Sequence, residues 1–355
     1  MQAQKEKLIT AHRGAAENPP NRFEKITLEP DADWNPEDDV LPRTQFFKDH
    51  SQTVISRNDS PDIGFQAGLN PYRGCEHGCI YCYARPFHEY LGFSAGLDFE
   101  SKIMVKEDAP ELLRKELSAK KWQPQTIFMS GVTDCYQPVE RKLKLTRRCL
   151  EVLAEFRNPV AIVTKNSLVT RDIDLLSELA RHEAVAVMIS VTSLDPKLRG
   201  IMEPRTSPPA ARLETIRKLA AAGIRVGVLV APIIPGLTDH EMPGILKAAA
   251  AAGATSAGFT VVRLPHAVAP LFEKWLATHF PDRKDAVLNR LRSMRGGKLY
   301  DAEWSKRFSG EGIFAEQIAQ MFEVARRKAG IANEERELSV TAFRRAGGTQ
   351  LSLFS

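Results

Sequence analysis

Cysteine is scarce in this 355-residue chain, which has only five. Five thiols, three of them crowded into one stretch, do not make the framework of a disulfide-stapled secreted fold, and a reducing, cytoplasmic setting is expected. Long apolar runs are missing too. The longest, around residues 224–234 and 248–254, fall well short of the roughly 20 residues that a membrane-spanning helix needs. Lys5, Glu6 and Lys7 stand where a signal peptide would carry its apolar segment, so secretion is not expected. An excess of charge of one sign is also lacking, with 49 basic and 44 acidic residues. The whole imbalance lies late in the chain: residues 261–355 hold 16 Lys and Arg against 11 Asp and Glu, and the rest balances at 33 of each. From charge alone, this basic C-terminal part reads equally as a phosphate-backbone footprint or as solvated helix faces.

What is present is an ordinary globular composition, 43% hydrophobic and 26% charged, arranged in a regular alternation. Residues 1–60 are rich in Pro, Asn, Asp and Glu and lack periodicity, which predicts an arm that wraps the core or stays mobile. From about Gly64 onward, strands are expected at 65–71, 126–130, 160–164, 184–191, 225–231 and 257–262. Helices are expected between them at 109–120, 142–156, 173–182, 209–222 and 239–252. Apolar strands alternating with helices of 10–15 residues predict βαβ units and a parallel sheet buried on both faces. Three further helices are expected at 270–279, 283–292 and 313–329, the last with an apolar stripe of Ile313, Ile318, Met321, Phe322 and Ala325 that packs on the domain. The expected division is an arm (1–60), an α/β domain (61–264), a basic helical extension (265–345) and a short tail (346–355).

The chemistry is concentrated in Gly74-Cys75-Glu76-His77-Gly78-Cys79-Ile80-Tyr81-Cys82-Tyr83. The spacing C-x3-C-x2-C offers three soft thiolates, suited to an iron–sulfur cluster, zinc or copper(I). Three ligands leave one position open for a substrate or cofactor. Two other readings stand beside the cluster: a zinc site completed by His77 or His88, as in a binding module with a structural metal, and three unrelated core cysteines.

Cys75, Cys79 and Cys82, with Tyr81 before the last, resemble the signature of radical S-adenosylmethionine (radical SAM) enzymes. The resemblance implies a partial (β/α)6 barrel, TIM-like, with a [4Fe–4S] cluster on the three cysteines and SAM on the open iron. Tyr81 would then lie by the adenine. It further implies reductive cleavage of SAM to a 5′-deoxyadenosyl radical, with an electron donor such as flavodoxin or ferredoxin. Residues at the strand ends would bind SAM: Ser130 and Gly131 its amino group, Lys165 its carboxylate, Ser190 its ribose or carboxylate. Ala231 to Gly236 would wall the adenine. Glu203 and Arg205 either clamp the cofactor or form a structural ion pair. Asp134, Gln137 and Glu140 are expected as substrate contacts, supports or loop caps.

Ser130, Lys165 and Ser190 after the three cysteines resemble the spore photoproduct lyase branch, described as DNA-repair-photolyase-like, over residues 71–262. This implies DNA as substrate, in repair or modification, with RNA or another macromolecule as the alternative. That branch uses a cysteine two residues before the matching serine as hydrogen-atom donor. Here the position is Phe128, and Cys135 with Tyr136 beside it is the substitute candidate; a buried apolar role for Cys135 is the other reading. Cys149 is expected in the core. The tail Gln350-Leu351-Ser352-Leu353-Phe354, following Gly347-Gly348, resembles the peptide by which bacterial polymerases and repair proteins bind the DNA sliding clamp. Gln350, Leu351, Leu353 and Phe354 would make that contact.

Overall fold

The computed structural model describes residues 13–24, 43–304, 306–332 and 337–345. The clamp-like tail lies outside the described residues, as does most of the first 42 positions.

Ten strands are described: β1 Gln45–Lys48, β2 Ile55–Arg57, β3 Ala67–Leu69, β4 Tyr72–Arg73, β5 Lys102–Val105, β6 Ile127–Met129, β7 Val160–Thr164, β8 Val185–Ser190, β9 Arg225–Ile233 and β10 Ser256–Val261. Seven form the main sheet in the order β10-β9-β8-β7-β6-β3-β2. All its pairings are parallel except that of β2 with β3 at one edge. The protein is therefore a mixed α/β fold whose sheet is mainly parallel. Parallel neighbours need a crossover of a dozen or more residues, and the amphipathic helices supply it. In helix Leu145–Phe156, for example, Leu145, Cys149, Leu150, Leu153 and Phe156 are buried against the sheet. Consecutive parallel strands carry their C-terminal ends to one rim, where loop residues with free side chains collect.

Several expected bounds shift for identifiable reasons. The first strand of the alternation shrinks to Ala67–Leu69, because Pro71 has no N–H to give a ladder. The helix expected over 142–156 breaks at Lys144, which takes φ 52° between helices Glu140–Leu143 and Leu145–Phe156. Two strands lie in the region read as an arm without periodicity. One of them, β1, is exposed along its whole length and pairs parallel with β5 in a separate three-stranded sheet. An exposed strand has no apolar–polar alternation to betray it. The short helix Pro196–Met202 also carries little apolar pattern; its start is set by Asp195, whose carboxylate accepts from the Lys197 N–H at 2.8 Å.

Helix Ile313–Lys328 packs Ile318, Phe322 and Ala325 inward, with Phe322 4.7 Å from the Phe259 ring of β10. Ile313, expected in the same stripe, is 73% exposed. Cys149 is fully buried. Among the described residues no helix is long and apolar enough to cross a membrane.

Candidate cluster and cofactor site

The cysteine loop leaves the small sheet at Arg73 and turns on two glycines with positive φ, Gly74 (78°) and Gly78 (65°). Its backbone is tied down on several sides. Cys75 N–H donates to Phe99 O at 2.9 Å, Ile80 N–H to Met202 O at 3.1 Å, and Cys82 N–H to Cys79 O at 3.2 Å. Beneath it lies a fully buried guanidinium, Arg85, which donates to Cys79 O (3.0 Å), Ala95 O (3.1 Å) and Gly96 O (2.9 Å) and pairs with Glu100. Glu100 also accepts from Gly14 N–H (2.9 Å) and Ala15 N–H (2.8 Å), so a piece of the N-terminal segment is bound into the same knot. A Cβ on Gly14 would sit 1.6 Å from Gly78 O.

Cys75 and Cys79 are buried and Cys82 half-buried, and none is in a disulfide. Burial first, then Asp134, then the other two thiols push the Cys75 thiol well above its ordinary range. The three sulfurs are therefore within electrostatic reach of one another. Three such thiolates repel unless a cationic centre neutralises them, and that donor chemistry fits an iron–sulfur cluster. Of the two histidines the zinc reading offers as a fourth ligand, His77 is engaged by its neighbours, whereas the buried Nε2 of His88 has no partner among the described residues. His77 Nδ1 lies 3.3 Å from Asp134 and its Nε2 3.1 Å from Asn166 Nδ2, while His88 packs between Phe93 and Phe99. Among the described residues no three His, Cys, Asp or Glu side chains, the three cysteines included, are grouped as they stand around one metal position.

At the end of β6, Ser130 adopts φ 78°, and its hydroxyl accepts from Cys135 N–H at 2.8 Å. Gly131 O accepts from the Tyr83 hydroxyl. At the end of β7, the half-buried Lys165 reaches across to Ala231 O at 3.3 Å, its ammonium 5.9 Å from the Tyr81 ring centre. Ser190, ending β8, is buried, and its carbonyl accepts from Arg212 at 2.9 Å. Asp134 joins two strand ends: it accepts from Tyr136 N–H (2.9 Å), Thr164 O–H (2.8 Å) and Lys165 N–H (2.8 Å). Burial alone would raise its carboxyl, but His77 and these N–H donors bring it below the ordinary carboxylate range.

Glu203 and Arg205, read either as a cofactor clamp or as an ion pair, do not pair with each other. Glu203 is fully buried and pairs with Arg212, and it accepts from the hydroxyls of Tyr81 and Thr192, the latter at 2.7 Å. Burial pushes its carboxyl up; Arg212, then Lys165 and the two hydroxyls outweigh that and hold it at about 2. Arg205 instead pairs with Glu76 at 2.9 Å. Reading neighbours in sequence as neighbours in space overlooked that the peptide turns between them. Glu76 in turn accepts from Val139 N–H at 2.6 Å, and Gln137 accepts from Glu76 N–H at 2.9 Å and donates to Gly74 O at 3.2 Å. Gln137 therefore braces the cysteine loop. Glu140 accepts from Tyr72, Thr146 and Arg171, a support one layer further out.

Cys135 and Tyr136 are both fully buried. The Tyr136 hydroxyl donates to Asp172 at 3.1 Å, and Asp172 also binds Arg147 and Arg171. That commits the phenol to an ion network, not to a relay with its neighbour. Burial, and next Asp134, push the Cys135 thiol well up, so it is held as a neutral S–H.

Sequence reasoning missed Arg212, Tyr83 and Arg263. Arg212 stands on the buried face of its helix with Thr215, Ile216 and Leu219, and nothing in the sequence sets it apart from the helix's other charged residues. Tyr83 follows the third cysteine directly, and Arg263 follows the last strand.

The model of the Radical SAM superfamily matches residues 69–249, from β3 into the helix before β10. The chain belongs to the radical SAM superfamily. Members are enzymes that use a [4Fe–4S] cluster and S-adenosylmethionine. The chain is 38% identical over 222 residues to an uncharacterized protein of Mycobacterium tuberculosis, covering 62% of this chain and 65% of that one. It is 32% identical over 174 residues to an uncharacterized protein of Methanocaldococcus jannaschii, covering 49% and 62%. It is 25% identical over 231 residues to the radical SAM Nα-GlyT isomerase of Pseudomonas phage M6, covering 64% and 46%. The chain thus spans between 46% and 65% of the length of these curated relatives. Among solved structures it is similar to spore photoproduct lyase complexed with dinucleoside spore photoproduct, with a TM-score of 0.55, 17% identity and coverage of 80% and 77%. That likeness is one of fold.

Proposed function

We propose that this radical SAM protein acts on DNA, in repair or modification, in the manner of the spore photoproduct lyase branch. The parallel sheet is taken as a partial (β/α)6 barrel spanning residues 61–264, with an arm (1–60), a basic extension (265–345) and a tail (346–355) around it. The observation that carries the reading is the set of three thiols on one braced, buried loop, facing side chains from consecutive strand ends. Cys75, Cys79 and Cys82 would hold the cluster. When bound, cluster and SAM together supply a one-electron cleavage of the sulfonium and the hydrogen-atom abstraction that follows from it.

The rest is done by this chain's own groups. The Lys165 ammonium, 3.3 Å from Ala231 O and 5.9 Å from the Tyr81 ring centre, is a cation that a carboxylate could meet. Ser130 offers a hydroxyl whose proton is free to donate, since its oxygen accepts from Cys135 N–H. Tyr81 is fixed by Glu203, which Arg212 neutralises, so Glu203 acts by positioning the ring. Arg205 acts likewise through Glu76. Cys135, as a neutral buried thiol, remains the candidate hydrogen-atom donor. A cytoplasmic setting, an electron donor such as flavodoxin or ferredoxin, and clamp binding by Gln350, Leu351, Leu353 and Phe354 complete the proposal.

Anaerobic reconstitution with iron and sulfide tests it. The expected result is cluster absorbance and, with SAM and a reductant, 5′-deoxyadenosine; Cys75→Ala, Cys79→Ala and Cys82→Ala each abolish both. One zinc, without iron or sulfide, would overturn it.

A further inference from the structure

Arg263 follows β10 by two residues, and its guanidinium is held between two aromatic faces. It lies 4.2 Å from the ring centre of Tyr83 and 4.5 Å from that of Phe308. The side chain is half-buried, yet among the described residues it has no carboxylate partner and no hydrogen-bond acceptor. Asp62, whose charge reaches it, is already engaged by Arg307, with Nε 2.7 Å from one carboxylate oxygen and Nη2 on the other. Arg295, the third guanidinium here, gives Nη2 to Val262 O (2.8 Å) and Nη1 to Arg307 O (3.3 Å), while its buried Nε has no partner among the described residues. The rim at the end of β10 is therefore basic, and one planar fork of five N–H donors is unspent.

The place of this fork matters as much as its charge. Tyr83 is the residue after the third cluster cysteine, and its hydroxyl donates to Gly131 O at the end of β6. Arg263 is thus one ring removed from the cluster loop and from the strand end assigned to SAM. A partly buried cation without a counter-ion costs stability, and a bound anion would offset that cost. A guanidinium pre-set by ring faces matches two oxygens of one phosphate.

We propose that Arg263, clamped by Tyr83 and Phe308, holds a backbone phosphate of a single-stranded nucleic-acid segment at the mouth of the site. This rests on the reading above only for the identity of the strand. The test uses the full chain, reconstituted anaerobically but without SAM or reductant, and fluorescence anisotropy of labelled single-stranded DNA and RNA oligonucleotides of one sequence over a range of salt. Arg263→Gln is expected to weaken binding about tenfold and to flatten the dependence of log affinity on log salt by roughly 0.7. Arg263→Lys recovers the slope but only part of the affinity, because an ammonium lacks the fork. Native protein that binds neither oligonucleotide, or Arg263→Gln that binds like native, overturns the proposal. Should Arg263→Gln fail to fold while Arg263→Lys binds just as native does, the residue is structural and the proposal also falls. Tighter binding of RNA supports the role of Arg263 and overturns the DNA reading alone. SAM cleavage, measured separately, reports on the cluster chemistry, so the two failures are told apart.

Discussion

Glu203 keeps its charge where there is no water, and the pairing with Arg212 is what makes that possible. Its carboxyl is held at about 2 against an ordinary 4.5. A depressed folded-state value means stability that is fully present above pH 4.5 and lost as pH falls through about 2. The shift corresponds to about 3 kcal/mol, similar to the loss expected when one partner of a buried pair is removed. Glu203→Gln is therefore expected to lower the unfolding free energy of the apoprotein by about that much at pH 7. The deficit should shrink as pH drops from 4.5 toward 2. Urea unfolding across that range checks it, and a deficit independent of pH would mean that the charge is not the cause. The cysteine spacing and the strand-end Ser130, Lys165 and Ser190 were legible at this scale because each follows a recognisable strand. Arg212 and Glu76 were not, since a charged residue on a helix among other charges or in a loop declares no partner until the chain is folded.

Among the elements, the segment around Gly14 changes how the first residues are understood. It reads as a polar arm, yet Gly14 and Ala15 give their N–H groups to the buried Glu100, and Arg13 donates to Glu100 O at 2.6 Å. With only 1.6 Å between a Cβ at Gly14 and Gly78 O, Gly14→Ala must push the segment off the cysteine loop. The expected outcome is a fall in stability of about 2 kcal/mol or more, with a lower iron content after reconstitution. Unchanged thermal unfolding and full iron uptake would show that the segment is not part of the loop's support. The parallel strands and most helices were readable from periodicity. The exposed strand β1 and the break at Lys144 were not, because neither leaves an apolar rhythm in the sequence.

For the whole molecule, the charge excess in residues 261–355 takes on a place. Arg263, Arg295 and Arg307 meet at the rim where β10 ends, next to the loop that carries the cysteines. If the protein works on DNA at the replication clamp, removing Gln350 to Ser355 should abolish clamp affinity in a direct binding assay and leave oligonucleotide binding by the rim intact. Loss of neither would separate this chain from the clamp.

By itself, the sequence determined the spacing of the three loop cysteines, the α/β alternation and the order of the strand-end residues, because these depend on position along the chain. The tertiary structure decided which charges pair: Glu203 with Arg212, Arg205 with Glu76, Asp62 with Arg307. Only the fold could leave Arg263 without a carboxylate among the described residues, since a side chain's partners are set by distance through space, and burial decides how much each pairing is worth.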